Sequence, residues 1–186
     1  GVHLKGTTTH YQTGLKTKKR LVLERGVKQL GLSCSDEQID QLLTYLEMLD
    51  RWNQAYNLTA IKDPLEMIGL HLLDSLAVSP MLSGESCIEV GTGAGIPGIP
   101  LAIMNPKKKF TLLDSNGKKT RFLFQAKIEL KLSNIQEVNT SVEKYLPEHG
   151  YDHVLSRAFS SLSDMVSYCD HLLTIDGSFL AFKGRI

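Results

Sequence analysis

The 186-residue sequence predicts an α/β fold, a doubly wound and mostly parallel sheet carrying an N-terminal helical appendage. Three observations predict it. After Gly84, short apolar runs bounded by glycine or polar residues alternate with helical stretches, the pattern of a parallel sheet covered on both faces. Before Gly84 the apolar residues recur at helical spacing. The first apolar run after Gly84 ends in a glycine-rich turn, where open parallel sheets bind ligands. The chain thus divides into residues 1–83, a leader and helical appendage, and residues 84–186, the sheet-forming core, expected to fold as one cooperative unit.

Residues 1 to about 15 show little apolar periodicity and no initiator Met, and are read as a leader or processed end outside the fold. Ser35 and Gln38 form a capping-box pattern ahead of Ile39, Leu42, Leu43, Leu46, Leu49 and Trp52, which recur at helical spacing. Asp63, Pro64 and Glu66 supply an N-cap, an N1 proline and a first-turn acid for a second helix through Met67, Leu70, His71, Asp74 and Val78. Strands are expected at Cys87–Val90, Phe110–Leu113, Ile135–Val138, Val154–Leu155 and Phe179–Phe182. Between them, helices are expected around Pro97–Met104, Lys118–Leu132, Val142–Tyr145 and Leu162–Leu173.

Composition narrows the class. Hydrophobic residues at 42% and charged residues at 22% fit an ordinary globular protein. No run approaches the roughly 20 apolar residues of a membrane span, and the N-terminal region lacks the unbroken apolar stretch of a secretory signal, so the expected location is cytoplasmic, away from membranes. Cys34, Cys87 and Cys169 are too scattered for a disulfide framework or a zinc site, and no metal is expected. With a net charge of +1, a nucleic-acid partner must be held by a local basic patch. Lys16, Lys18, Lys19, Arg20, Arg25 and Lys28 form one basic run, open to reading as a solvated helix face or an RNA-facing one. Lys107, Lys108 and Lys109, with Lys118, Lys119 and Arg121, are a second set open to the same two readings.

The chemistry concentrates in Glu89-Val90-Gly91-Thr92-Gly93-Ala94-Gly95-Ile96-Pro97-Gly98. Alternate glycines let backbone pass close beneath a ligand. Asp114 ends the second strand, about twenty residues on, where an acid can accept both hydroxyls of a ribose. These features imply an adenosine-containing cofactor. Gly93 to Gly98 also satisfies the dinucleotide pattern G-x-G-x-x-G, but there the first glycine directly follows the strand, and here that residue is Gly91. Glu89 fits a methyltransferase better, since a carboxylate suits the cationic amino-acid end of S-adenosylmethionine and repels a pyrophosphate.

Trp52-Asn53-Gln54-Ala55-Tyr56-Asn57-Leu58-Thr59, His71-Leu72-Leu73-Asp74-Ser75, the glycine loop, Leu112-Leu113-Asp114-Ser115 with Lys118, and Ser156-Arg157-Ala158-Phe159 stand in an order and spacing that closely resemble the glucose-inhibited division protein B family, the N7-guanosine methyltransferases of bacterial 16S rRNA. The likeness covers roughly residues 30 to 184. It implies a methyltransferase sheet with S-adenosylmethionine over Gly91 and Ile96, flanked by Gly93 and Gly95. It also implies that the backbone around Val142 and Glu143 lies beside the adenine, with Arg157 near the methyl-transfer end. The partner it implies is 16S rRNA or the small ribosomal subunit. Methyltransferase sheets usually finish with two further strands, and this sequence stops just after the fifth, so the C-terminal strands are expected to be missing.

Guanine N7 is an unprotonated lone pair on the major-groove edge, so its methylation needs no general base. The sequence holds no Pro-Cys dipeptide for pyrimidine C5 chemistry and no Asn or Asp before Pro-Pro-aromatic for exocyclic amines. Arg157 is the expected catalytic residue, donating to guanine O6 or to a phosphate, against a structural role at a strand end. His71 and Asp74, spaced one helical turn apart, are open to reading as a polar pair facing the site or as core and cap residues. Asn53 and Asn57 are open to loop-holding roles, and Trp52 reads as core. Two rival functions remain: a nicotinamide-dependent oxidoreductase and a non-catalytic RNA-binding or ribosome-assembly module that keeps the fold.

Overall fold

The computed structural model describes residues 2–182, with side chains from residue 13 onward. Helix α1 spans Val2–Gln29 and α2 spans Asp36–Tyr56. The expected leader is thereby corrected, because from Val2 that segment is part of α1. The anchor of this helix lies further along, where Leu23 and Val27 are buried, and a helix once nucleated adds one hydrogen bond per residue ordered. Arg20 of α1 pairs with Glu24 and with Asp36 and Asp40 of α2. That cation of the first basic run therefore fastens two helices together.

The capping box forms at the head of α2: Ser35 Oγ accepts from Gln38 N at 3.1 Å, and Gln38 Oε1 accepts from Ser35 N at 2.9 Å. Ile39, Leu42, Tyr45, Leu46, Met48 and Leu49 form its buried stripe. Helix α3, Pro64–Met67, continues through a π-helical stretch at Ile68–Leu73 into α4, Asp74–Leu76. The Asp63 cap accepts from Leu65 N as the sequence implies. Of the two readings left open for His71 and Asp74, the core role holds for His71, which is fully buried, while Asp74 is exposed.

The sheet follows. Strand β1, Ser86–Val90, leads through α5, Gly98–Met104, to β2, Lys109–Asp114; α6, Gly117–Glu129, leads to β3, Ile135–Asn139. The chain then crosses to β4, Tyr151–Ser156, and through α7, Leu162–Cys169, to β5, Leu173–Ala181. All pairings are parallel, in the order β3-β2-β1-β4-β5. The direction of winding reverses at β1, which places the ligand crevice between β1 and β4. Two expectations are corrected in length. Val142–Lys144 is a single 3-10 turn, and β5 begins at Leu173, within the stretch read as helix.

Side chains alternate across the sheet. Cys87, Leu112 and Leu155 join the larger core with Leu42, Tyr45, Leu72, Ile99 and Phe122. Ile88, Val90 and Val154 face the smaller one, with Met165, Cys169 and Leu172. Glu89, in register with Leu112 and Leu155, therefore points into the larger core. Among the described residues no helix is long and apolar enough to cross a membrane. No cluster of three His, Cys, Asp or Glu side chains suitable for a metal occurs among them either. The three cysteines are free.

Candidate active site

Register brings the site together. Val90 lies opposite both Leu113 and Ser156, and Asp114 opposite Asn139. The loop after β1, Asp114 at the end of β2 and Arg157 after β4 thus share one edge of the sheet.

The glycine loop is held from three sides. The Gly91 and Thr92 amides both donate to Leu113 O, at 2.9 and 3.1 Å. From beneath, Glu89 Oε1 accepts from Thr92 Oγ1 at 2.6 Å and from Gly98 N at 3.0 Å. From the β2 side, Asp114 Oδ2 accepts from Gly93 N at 2.8 Å, and its Oδ1 accepts from Asn116 N at 2.8 Å. Tyr45 Oη, from the middle of α2, donates to Ala94 O.

Gly91, Gly93 and Gly95 all have positive φ, but what surrounds them differs. A Cβ at Gly91 would meet Ala158 and one at Gly95 would meet Ile99, whereas at Gly93 it would find only Lys119, 3.8 Å away. Gly93 is therefore the open position of the cradle, where a ligand can approach the backbone. Ile96 is buried beside it.

Burial controls the charges. Glu89 is 2% exposed, and this desolvation pushes its carboxyl up to about 7 against the pull of the Thr92 hydroxyl, Arg157 and the Gly98 amide. Burial also works against the Arg157 charge, which Glu89, Tyr45 and Asp74 support in turn. The His71 ring, 0% exposed, is lowered to about 4 by burial and by Arg157. It is neutral at pH 7. Its Nε2 lies 2.7 Å from Thr59 Oγ1, and Thr59 Oγ1 accepts from Ile61 N.

Among the described residues, His71 Nδ1 and Arg157 Nε are buried without a hydrogen-bond partner. Buried polar groups are almost always satisfied.

Val142 is buried and Glu143 exposed in the turn after β3, at the same sheet edge. Val142 O and Tyr145 O both lie 3.1 Å from His171 Nε2. Asn53 Oδ1 accepts from Thr59 N, and Asn57 caps α2 in a left-handed conformation, so both asparagines hold backbone. Trp52 packs on Tyr56 and Phe122 as a half-buried core residue. The second basic set is split. Lys107, Lys108 and Lys109 precede or open β2, and Lys108 bonds Gly84 O. Lys118, Lys119 and Arg121 follow its far end, roughly 17 Å away at about 3.3 Å per residue. Tyr45, Thr59 and Thr92 are site residues that sequence reasoning missed.

The profile of the family described as rRNA small subunit methyltransferase G matches residues 38–186. The chain belongs to that family. A ribosomal RNA small subunit methyltransferase G of Shewanella frigidimarina is 53% identical over 164 residues, covering 88% of this chain and 80% of the relative. Its counterpart in Ectopseudomonas mendocina is 54% identical over 164 residues, covering 87% and 77%. Among solved structures, a methyltransferase from Thiobacillus denitrificans in complex with S-adenosyl-L-homocysteine aligns with TM-score 0.53 at 13% identity, covering 70% of this chain and 54% of that one. Coclaurine N-methyltransferase aligns with TM-score 0.50 at 14% identity, covering 90% and 58%. At such identities these two structures speak for the fold alone, which is the methyltransferase sheet expected from the sequence.

Proposed function

We propose that this chain transfers a methyl group from S-adenosylmethionine to N7 of a guanosine in 16S rRNA, in the cytoplasm, with naked rRNA or the small subunit as substrate. The observation that carries this reading is the glycine loop pinned by Glu89 and Asp114 at the reversal of the sheet, with Arg157 following β4 at the same end. The family match supplies the substrate class.

The residues fit the cofactor. Gly93 leaves open space over the loop, and Arg157, which follows β4, keeps a buried nitrogen without a partner. Gly91, Gly93, Gly95 and Ile96 would carry the cofactor on their backbone, Glu89 would attract its cationic end, and Asp114 would meet the ribose. Val142 and Glu143 would border the adenine. S-adenosylmethionine supplies an electrophilic methyl group on a sulfonium.

The work left to the chain is positioning and field. A cation brought beside Glu89 favours its ionised form. Arg157 holds guanine O6 or an adjacent phosphate through a bidentate fork. Neutral His71 keeps a second positive charge away from Arg157. N7 has no proton to lose, so no base is required.

Incubation with methyl-labelled S-adenosylmethionine and naked rRNA, small subunits or no RNA tests the reading. Label is expected on an N7-methylguanosine in one RNA arm. Cofactor and RNA binding without any transfer would favour the non-catalytic assembly module, and tighter binding of NAD would favour the oxidoreductase.

A further inference from the structure

Resting on that reading, we propose that Lys118, Lys119 and Arg121 at the head of α6 form a clamp for the RNA phosphate backbone, on the side of the crevice opposite Arg157. Helix α6 carries Lys118 and Lys119 in its first turn, with no acid there, and Arg121 just beyond it. This placement opposes the helix dipole, which favours negative charge there at roughly 0.3–1 kcal/mol per residue. Arg20, Arg51 and Lys127 all have carboxylate partners. Among the described residues, Lys118, Lys119 and Arg121 have none.

The helix end is not itself the binding group, because Asn116 Oδ1 already takes the Lys118 amide at 2.9 Å. The side chains are. Lys119 is half-buried, and its Nζ lies 3.8 Å from where a Cβ of Gly93 would stand, over the open position of the cradle. Lys118 and Arg121 are exposed beside it.

The ligand must be anionic, and an ammonium at this rim is poorly placed for a sulfonium cofactor. Three cations also exceed what one cofactor carboxylate can use, whereas a polynucleotide offers a phosphate at every step. The strand order gives the path. β2 leads into α6 on one side of β1, and β4 leads to Arg157 on the other. A base entering between them leaves its backbone running over Lys119.

The test compares two charge-matched double variants, K118Q/K119Q at the rim and K107Q/K109Q at the opposite end of β2. Filter binding of labelled protein-free 16S rRNA and of small subunits is measured across KCl concentrations, with cofactor affinity by calorimetry and folding by melting temperature. At about 0.7 counterions released per single-strand phosphate, the rim double should lower the log–log salt slope by about 0.7–1.4 and weaken RNA binding roughly 5- to 25-fold at about 0.1 M salt. Cofactor affinity and the K107Q/K109Q protein should be unchanged, and Lys119→Arg should bind as the wild type does.

Equal losses in both doubles would reduce the effect to bulk charge and overturn the clamp. So would unaltered RNA binding in the rim double, or loss of cofactor affinity in K119Q, which would place Lys119 on a cofactor carboxylate. Should the rim double unfold, Lys119→Arg against Lys119→Gln decides, because only the charge differs in purpose. A wild-type protein that shows the salt-dependent clamp but transfers no methyl to any RNA would sink the catalytic reading and leave the clamp standing.

Discussion

The amide of Gly98 donates to Glu89 Oε1 at 3.0 Å, and a Cβ at position 98 would lie 2.6 Å from that same oxygen. The first residue of α5 is thus locked onto the floor of the cofactor loop. Leu112 Cδ2 would be 2.4 Å from the same Cβ, and the Glu89 carboxylate is already tied to Thr92. Gly98→Ala should therefore cost about 1–3 kcal/mol by overpacking and weaken S-adenosylmethionine. Denaturant melts and calorimetry check it; a variant as stable and as tight as the wild type would show that the loop floor can move.

Glu89 and His71 make opposite demands on pH. The Glu89 pKa rises on folding to about 7, so its contribution to stability is full below its unfolded value near 4.5 and is lost as pH rises through 7. The His71 pKa falls to about 4, so its contribution is full above 6.5 and is lost as pH falls through 4. Between about pH 4.5 and 6.5 the two trends oppose each other. Glu89→Gln should uncover the His71 arm, giving a melting temperature that falls more steeply on acidification from pH 6.5 to 4. If the Glu89→Gln profile runs parallel to that of the wild type, the carboxyl does not titrate as its burial implies.

Asp114 spends both carboxylate oxygens on backbone amides, those of Gly93 and Asn116. Asp114→Ala leaves these donors unpaired and removes the charged acceptor, so cofactor affinity should fall by about 1.5–3 kcal/mol. Unchanged affinity by calorimetry would remove Asp114 from the site.

Tyr45 is fully buried with its hydroxyl on Ala94 O. Tyr45→Phe keeps the ring in the core and orphans a loop carbonyl. A stability loss of about 1–3 kcal/mol is expected, together with weaker cofactor binding. Lost stability with unchanged binding would make the bond a purely structural one.

Much of this was legible in the residues. Alternate glycines with Glu89 and Asp114 at fixed distances serve no packing need, so the loop announces itself. Tyr45 does not, because its place in the α2 stripe is what any core residue would show. His71 and Asp74 stayed open between two readings for a different reason: counting at helical periodicity assumes an unbroken α-helix, and the π turn at Ile68–Leu73 takes one extra residue that no spacing reveals. Lys107–Lys109 and Lys118–Arg121 are neighbours in sequence but are separated by the length of β2. Charge runs carry no direction until the strand between them is known.

Arg157 follows β4, whose last residue, Ser156, donates through Oγ to Val90 O at 2.8 Å and accepts from Ala158 N at 3.0 Å. These bonds fix the backbone on either side of Arg157, while its Nε remains buried without a partner. The fold leaves that donor unused, in keeping with the proposed role of the guanidinium. Lysine can supply the charge but has neither the planar fork nor a donor at the Nε position. Arg157→Lys should therefore retain the fold and most of the cofactor affinity, yet lose methyl transfer by one to three orders of magnitude, about 1.4–4 kcal/mol of transition-state stabilisation. Melting temperature, cofactor calorimetry and single-turnover transfer to small subunits separate the outcomes. An unfolded variant would make the arginine structural. A stable and fully active one would move the search for the substrate-facing group to His71 and Thr59 across the crevice.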